Sequence, residues 1–171
     1  MLATPPSWAL ALTFWLHMLA TISWLGGLAA IAILVIPAAR RSLAPPEQLA
    51  LIAAIQSRLE PLAWFSLALL VVTGLFQMSV NPHYDGYLST SGAWSLAIMT
   101  KHILVVLMVV TSAVQTWEVL PAIRRGLLRK QQGTLDAAEL QRLQKHETRL
   151  LRLNIFLSVL ILAATAFARA S

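Results

Sequence analysis

Residues 8–37 read WALALTFWLHMLATISWLGGLAAIAILVIP, without one Asp, Glu, Lys or Arg. A membrane-crossing helix needs about 20 mostly apolar residues, so this stretch suffices for one crossing. It reads as a span rather than a secretory signal: no basic region precedes it, the apolar run is too long, and Arg40 and Arg41 follow it. Three more segments have the same character, at about Pro61–Val80, Trp94–Leu120 and Leu150–Ala168.

The composition agrees. Of 171 residues, 58% are hydrophobic and 12% charged, and the mean hydropathy is +0.71. Soluble domains average about 45–50% apolar and about 25% charged. A soluble core of this length could not hide so much apolar side chain, and a disordered chain would be polar and charge-rich. The expected fold is all-α: one integral membrane domain over 1–171, an antiparallel four-helix bundle. There is no cysteine, which excludes disulfides, thiolate metal sites, iron–sulfur clusters and c-type haem attachment.

The basic excess, 13 Lys and Arg against 7 Asp and Glu, sits in the loops, so it reads as a topology signal rather than nucleic-acid binding. Segment 38–60 carries Arg40, Arg41 and Arg58. Segment 121–149 carries Arg124, Arg125, Arg129, Lys130, Arg142, Lys145 and Arg149. The 81–93 loop has neither Lys nor Arg. The positive-inside rule therefore predicts both basic segments in the cytoplasm, with loop 81–93 and both termini outside. Pro45 and Pro46 open a short helix to about Ser57. The amphipathic stretch from Leu135 runs as an extension into span four.

Each span carries a polar line at helical spacing. These are Thr13, His17 and Trp24; Ser66, Thr73 and Gln77; Trp94, Lys101, Met108 and Gln115, near Ser112 and Glu118; and Asn154, Ser158 and Thr165. The expected bundle turns these edges inward, with Gly26, Gly27 and Gly74 allowing close approach. Ionisable groups at membrane depth are costly and usually face the bundle interior. His17, Lys101 and His102 fall near one depth, roughly 12–14 Å below Trp8 and Trp94 by helical rise. Successive residues point about 100° apart, so Lys101 and His102 cannot both face the axis; the heptad line favours Lys101.

Two chemistries fit. Copper takes thioether and imidazole ligands, which nominates His17, His102, Met18, Met99, Met78 and His83, with Asp85 close to His83. Haem b takes axial imidazoles from facing helices, with His17 and His102 at membrane depth and Lys101 on a propionate or as the second axial group. A third reading is an accessory subunit whose polar stripes only pack. No catalytic residue is assigned; an enzyme reading would be a haem-dependent oxidoreductase.

His17 followed seven residues later by Trp24-Leu25-Gly26-Gly27, Thr73-Gly74 in span two, and Lys101 leading span three resemble the copper resistance protein D (CopD) family over about Leu16 to Arg125. That resemblance implies copper handling or transport across a bacterial inner membrane, with a periplasmic copper-binding partner or a larger membrane complex. The same His, Trp and Lys pattern is similar to the HemJ-type protoporphyrinogen oxidases, four-helix haem proteins. That similarity implies His17 and Lys101 as a functional pair and Trp24 at the cofactor. The chain departs from the HemJ type after Gly27, where it lacks that family's Leu-Pro-Arg-Leu and Tyr-His elements.

Overall fold

The computed structural model describes residues 5–82, 84, 86, 92–132 and 137–170. Four long helices form it. The first covers Ser7–Ser42, with a π-helical turn at Ala30–Val35. The second is Pro45–Ser79. The third covers Ala93–Arg129, with a π turn at Gln115–Val119. The fourth is Ala137–Ala170. All four are long and apolar enough to cross a membrane.

The second helix is longer than the sequence suggests, because it continues through Pro61. A proline removes one backbone donor and crowds the preceding turn. Here its ring sits on the exposed face. Leu49, Ile52 and Ala53 on one side of it, and Ser66 and Leu67 on the other, are all buried. Packing on both sides holds a single axis. At the start, the Glu47 carboxylate accepts the free Ala44 N–H at 3.1 Å, which caps the first turn. The fourth helix runs unbroken from the amphipathic stretch into the apolar span, so the basic segments are largely helical extensions of the bundle.

The first helix packs along the second, and the third along the fourth. The two hairpins join through contacts of the first helix with the fourth, and of the second with the basic end of the third. Trp64 stacks on Trp117 across that second junction, with centroids 5.3 Å apart and planes within 10°. The core has three clusters, centred on Leu49 and Ile123, on Trp24 and Met108, and on Ile31 and Leu151. Large apolar side chains such as Trp15, Ile22, Phe65, Val106 and Phe156 cover the outside. A bundle that is apolar outside and polar inside matches a lipid surrounding.

The polar lines turn inward. Trp24, Ser66, Thr73, Met108, Asn154 and Ser158 are buried, and Thr13, His17, Gln77, Lys101, Gln115 and Thr165 are half-buried. Glu118 is exposed beside Trp117.

Ile123 is 1% exposed in the cluster that ties the basic ends together. Ile123→Ala should cost about 2–5 kcal/mol, whereas the exposed neighbour Arg124→Ala should stay within about 0.5 kcal/mol. Reversible unfolding in mild detergent checks both; equal effects would contradict the packing described.

Candidate functional site

The first helix sets His17 against the second. His17 Nδ1 lies 2.8 Å from Thr73 Oγ1. The Thr73 hydroxyl donates its single proton to its own helix, to the Leu69 carbonyl at 2.6 Å. Having spent that proton, Thr73 can only accept from the ring. The bond therefore places the imidazole proton on Nδ1 and leaves Nε2 with a free lone pair. This is the arrangement of a metal-ligating histidine, whose other nitrogen is anchored through its N–H.

A small residue at position 74 leaves room for the ring. A Cβ at Gly74 would lie 3.4 Å from His17 Cε1, so anything longer than Ala there would press on the ring. One turn nearer the helix start, Gln77 Nε2 donates to the Thr13 carbonyl at 3.3 Å. Two polar contacts at successive turns thus fix the register of the first helix on the second.

The other two helices bring cations. Lys101 of the third helix and Arg169 of the fourth both lie within electrostatic range of His17, and Arg169 also acts on Lys101. The Arg169 guanidinium sits 5.4 Å from the centre of the Phe14 ring, a cation–π distance. No ion pair to Lys101 or Arg169 is present among the described residues. Lys101, half-buried, and Arg169, exposed, thus bear electrostatically on the His17–Thr73 pair. His17, Thr73 and Lys101 lie about 15, 9 and 12 Å along their helices from Ser7, Ser79 and Ala93, at 1.5 Å per residue. All are in the half of the bundle next to the 81–92 connection.

The remaining candidates separate. His102 is exposed, and its Nδ1 bonds the Ile98 carbonyl of its own helix at 2.7 Å; it faces outward with Ile103 and Val106. The 100° step between neighbours decides this, since Lys101 holds the inward position. Met18 is 63% exposed for the same reason beside His17. Met99 is half-buried. Met78 is buried near the end of the second helix, and Trp24 is buried two turns past His17, against Leu67 and Met108. His83 and Asp85 lie outside the described residues. Among the described residues no group of three His, Asp or Glu side chains is placed to hold a metal ion.

A second polar set nearer the basic end pairs Gln115 and Asn154, expected from the sequence, with Gln56 and Glu147, which were not. Gln56 Nε2 donates to Glu147 Oε1 at 2.8 Å, and Glu147 is fully buried. Asn154 Nδ2 donates to Gln115 Oε1 at 3.3 Å. Between this set and His17, the Ser158 hydroxyl donates to the Asn154 carbonyl of its own helix at 2.7 Å and lies 3.5 Å from Met108 Sδ. A signal existed: Glu147 stands one heptad before Asn154, on an extension of the polar line of span four. The Lys, His and Arg residues around it disguised that line.

The sequence model of the family described as copper resistance protein D matches residues 53–168. That range takes in Thr73, Lys101 and Glu147 and begins after His17. No curated protein and no solved structure matches significantly.

The Thr73 contact yields a direct test. Thr73→Val keeps the shape but leaves the Nδ1–H of His17 without its acceptor, which should cost about 1–3 kcal/mol. Thr73→Ser should retain most of the stability. Unfolding midpoints in detergent compare the two, and a Val variant as stable as the Ser variant would contradict the bond.

Proposed function

The chain belongs to the copper resistance protein D family, and from that premise we propose that it carries copper through the membrane, with His17 as the ligand nearest the entry side. The observation behind this reading is the His17 ring held through Nδ1, 2.8 Å from Thr73 Oγ1, which leaves Nε2 for a ligand. Copper here is cargo. Imidazole and thioether are its preferred protein ligands.

The donor set is sparse, which suits transit better than storage. One imidazole nitrogen leaves most of the coordination sphere to be filled by the cargo's own ligands or by the protein that delivers it. Met78, at the same end of the bundle, and His83, five residues later in the sequence, are the proposed points of first contact. Lys101 and Arg169 act against a bare cation at His17. Their charge favours copper arriving as an anionic or neutral complex, or on a partner that presents acidic groups. The same repulsion keeps the stay short, as conduction requires binding weak enough to reverse.

The basic segments set the proposed orientation, in a bacterial inner membrane. Arg40, Arg41, Arg124, Arg125 and Arg129 belong on the cytoplasmic side, which puts the His17 site in the periplasmic half. A reporter fused at position 130 should be active only as a cytoplasmic fusion; periplasmic activity would reverse the direction of entry.

A second reading is kept because of the paired cations. A haem with His17 as axial ligand would find in Lys101 and Arg169 natural partners for its propionates. The absorption spectrum separates the two. The copper reading expects purified protein without a Soret band, and copper affinity reduced about 10–100-fold in His17→Ala. A Soret band that disappears in His17→Ala would establish the haem reading. Copper binding and copper tolerance both indifferent to His17→Ala would contradict the first.

A further inference from the structure

A cavity of about 100 Å3 opens among the helices beside Trp24. Most of its wall is apolar, and Trp24 and Trp64 supply aromatic surface, with Trp64 held in place by its stack on Trp117. The cavity reaches the lipid side of the bundle between the first and second helices. There Leu62, on its rim, is 47% exposed, and a Cβ added to Gly27 would meet nothing within 4 Å. Ser23 and Leu62 lie about 24 and 26 Å along their helices from Ser7 and Ser79. This window therefore sits within a hydrocarbon layer about 30 Å thick, in its basic-side half. The first and third helices both widen into π turns at the wall, where Ile31 and Gln115 line it. Such turns are uncommon and recur at functional sites.

A few polar groups interrupt that wall, and their hydrogen bonds are unspent. Elsewhere in the spans, Thr13, Thr21, Thr73, Thr111, Ser158 and Thr165 each give the hydroxyl proton to the carbonyl four residues back, a common resort of hydroxyls in membrane helices. Ser23, Ser112 and Thr116 line the cavity instead, and their hydroxyls have no partner among the described residues. Gln115 accepts the Asn154 amide through Oε1, which leaves its own Nε2 protons to donate. Donors from the first and third helices thus border one apolar space. An apolar pocket with a few convergent polar groups is the usual form of a small-molecule site.

The same features define the ligand by exclusion. An acyl chain would fill the space and leave the donors unmet, at about 1–3 kcal/mol for each. A phosphate or carboxylate headgroup needs a cation, whereas no Lys, Arg or His lines the cavity and Glu60 does. What remains is a neutral lipophile that carries carbonyl acceptors on a flat ring. Its size agrees. A closed apolar cavity of roughly 150 Å3 holds one benzene, and a cavity of about 100 Å3 open at Leu62 takes one ring with its tail left in the lipid.

We propose that this cavity is a binding site for a membrane quinone. The ring lies against Trp24 and Trp64, and its carbonyl oxygens accept from Gln115 and the neighbouring hydroxyls. The site rests on neither His17 nor copper.

The test uses the full chain in lipid nanodiscs, with a photoactivatable azidoquinone as probe, decylubiquinone as competitor and hexadecane as the apolar control. Mass spectrometry maps the labelled residues. Labelling should saturate, fall within the wall segments 23–31, 56–64 and 112–120, and yield to decylubiquinone but not to hexadecane. Ala63→Phe, which fills the cavity, should weaken probe binding at least about tenfold. Label that does not saturate, that scatters over lipid-facing residues such as Phe65 and Val106, or that hexadecane displaces equally well would overturn the proposal. So would full binding in a folded Ala63→Phe variant. The mapping and the competition use the unaltered chain, so they decide the matter even where Ala63→Phe fails to fold.

Discussion

Hydrocarbon offers no hydrogen bonds, so every polar side chain in these helices must find its partner within the protein. The bundle meets most of that constraint with polar pairs placed at intervals along its axis. His17 meets Thr73, Asn154 meets Gln115, Glu147 meets Gln56, and Gln144 meets Gln48 at the basic end. Each of these pairs joins two different helices, so each fixes rotation and register as well as satisfying a polar atom. Apolar packing between helices gains little in lipid, where the acyl chains are equally apolar. The pairs therefore carry much of the specificity, and the tryptophan and leucine clusters fill the space between them.

The two ends of this series differ in charge. Toward the 81–92 connection stand Lys101 and Arg169 around the imidazole, with no acidic partner among the described residues. Deeper in, Glu147 is buried. Met108, half-way between, is buried with its thioether 3.5 Å from the Ser158 hydroxyl.

Much of this was legible in the sequence. Four apolar segments gave the bundle, and the polar residue at every fourth or seventh position gave its inward edge. The choice between Lys101 and His102 followed from the 100° step together with the heptad line Trp94, Lys101, Met108 and Gln115. Less legible were features that depend on tertiary packing. Nothing local marks the π turns at Ala30–Val35 and Gln115–Val119, and Pro61 argued for a break that buried neighbours on both sides prevent. Glu147 was hidden by the charged residues around it, although its seven-residue offset from Asn154 was readable. The tautomer of His17 could not come from sequence at all, since it depends on where Thr73 sends its own proton.

The central feature of the bundle is His17 anchored through Nδ1 between helices, with Nε2 left for a ligand. Solid-state NMR of nitrogen-labelled protein in lipid bilayers measures this directly. The expected result is a protonated Nδ1, an unprotonated Nε2 and a through-space cross-peak from the ring to the Thr73 side chain. A ring protonated at Nε2, or one whose contacts are with lipid acyl chains, would contradict it.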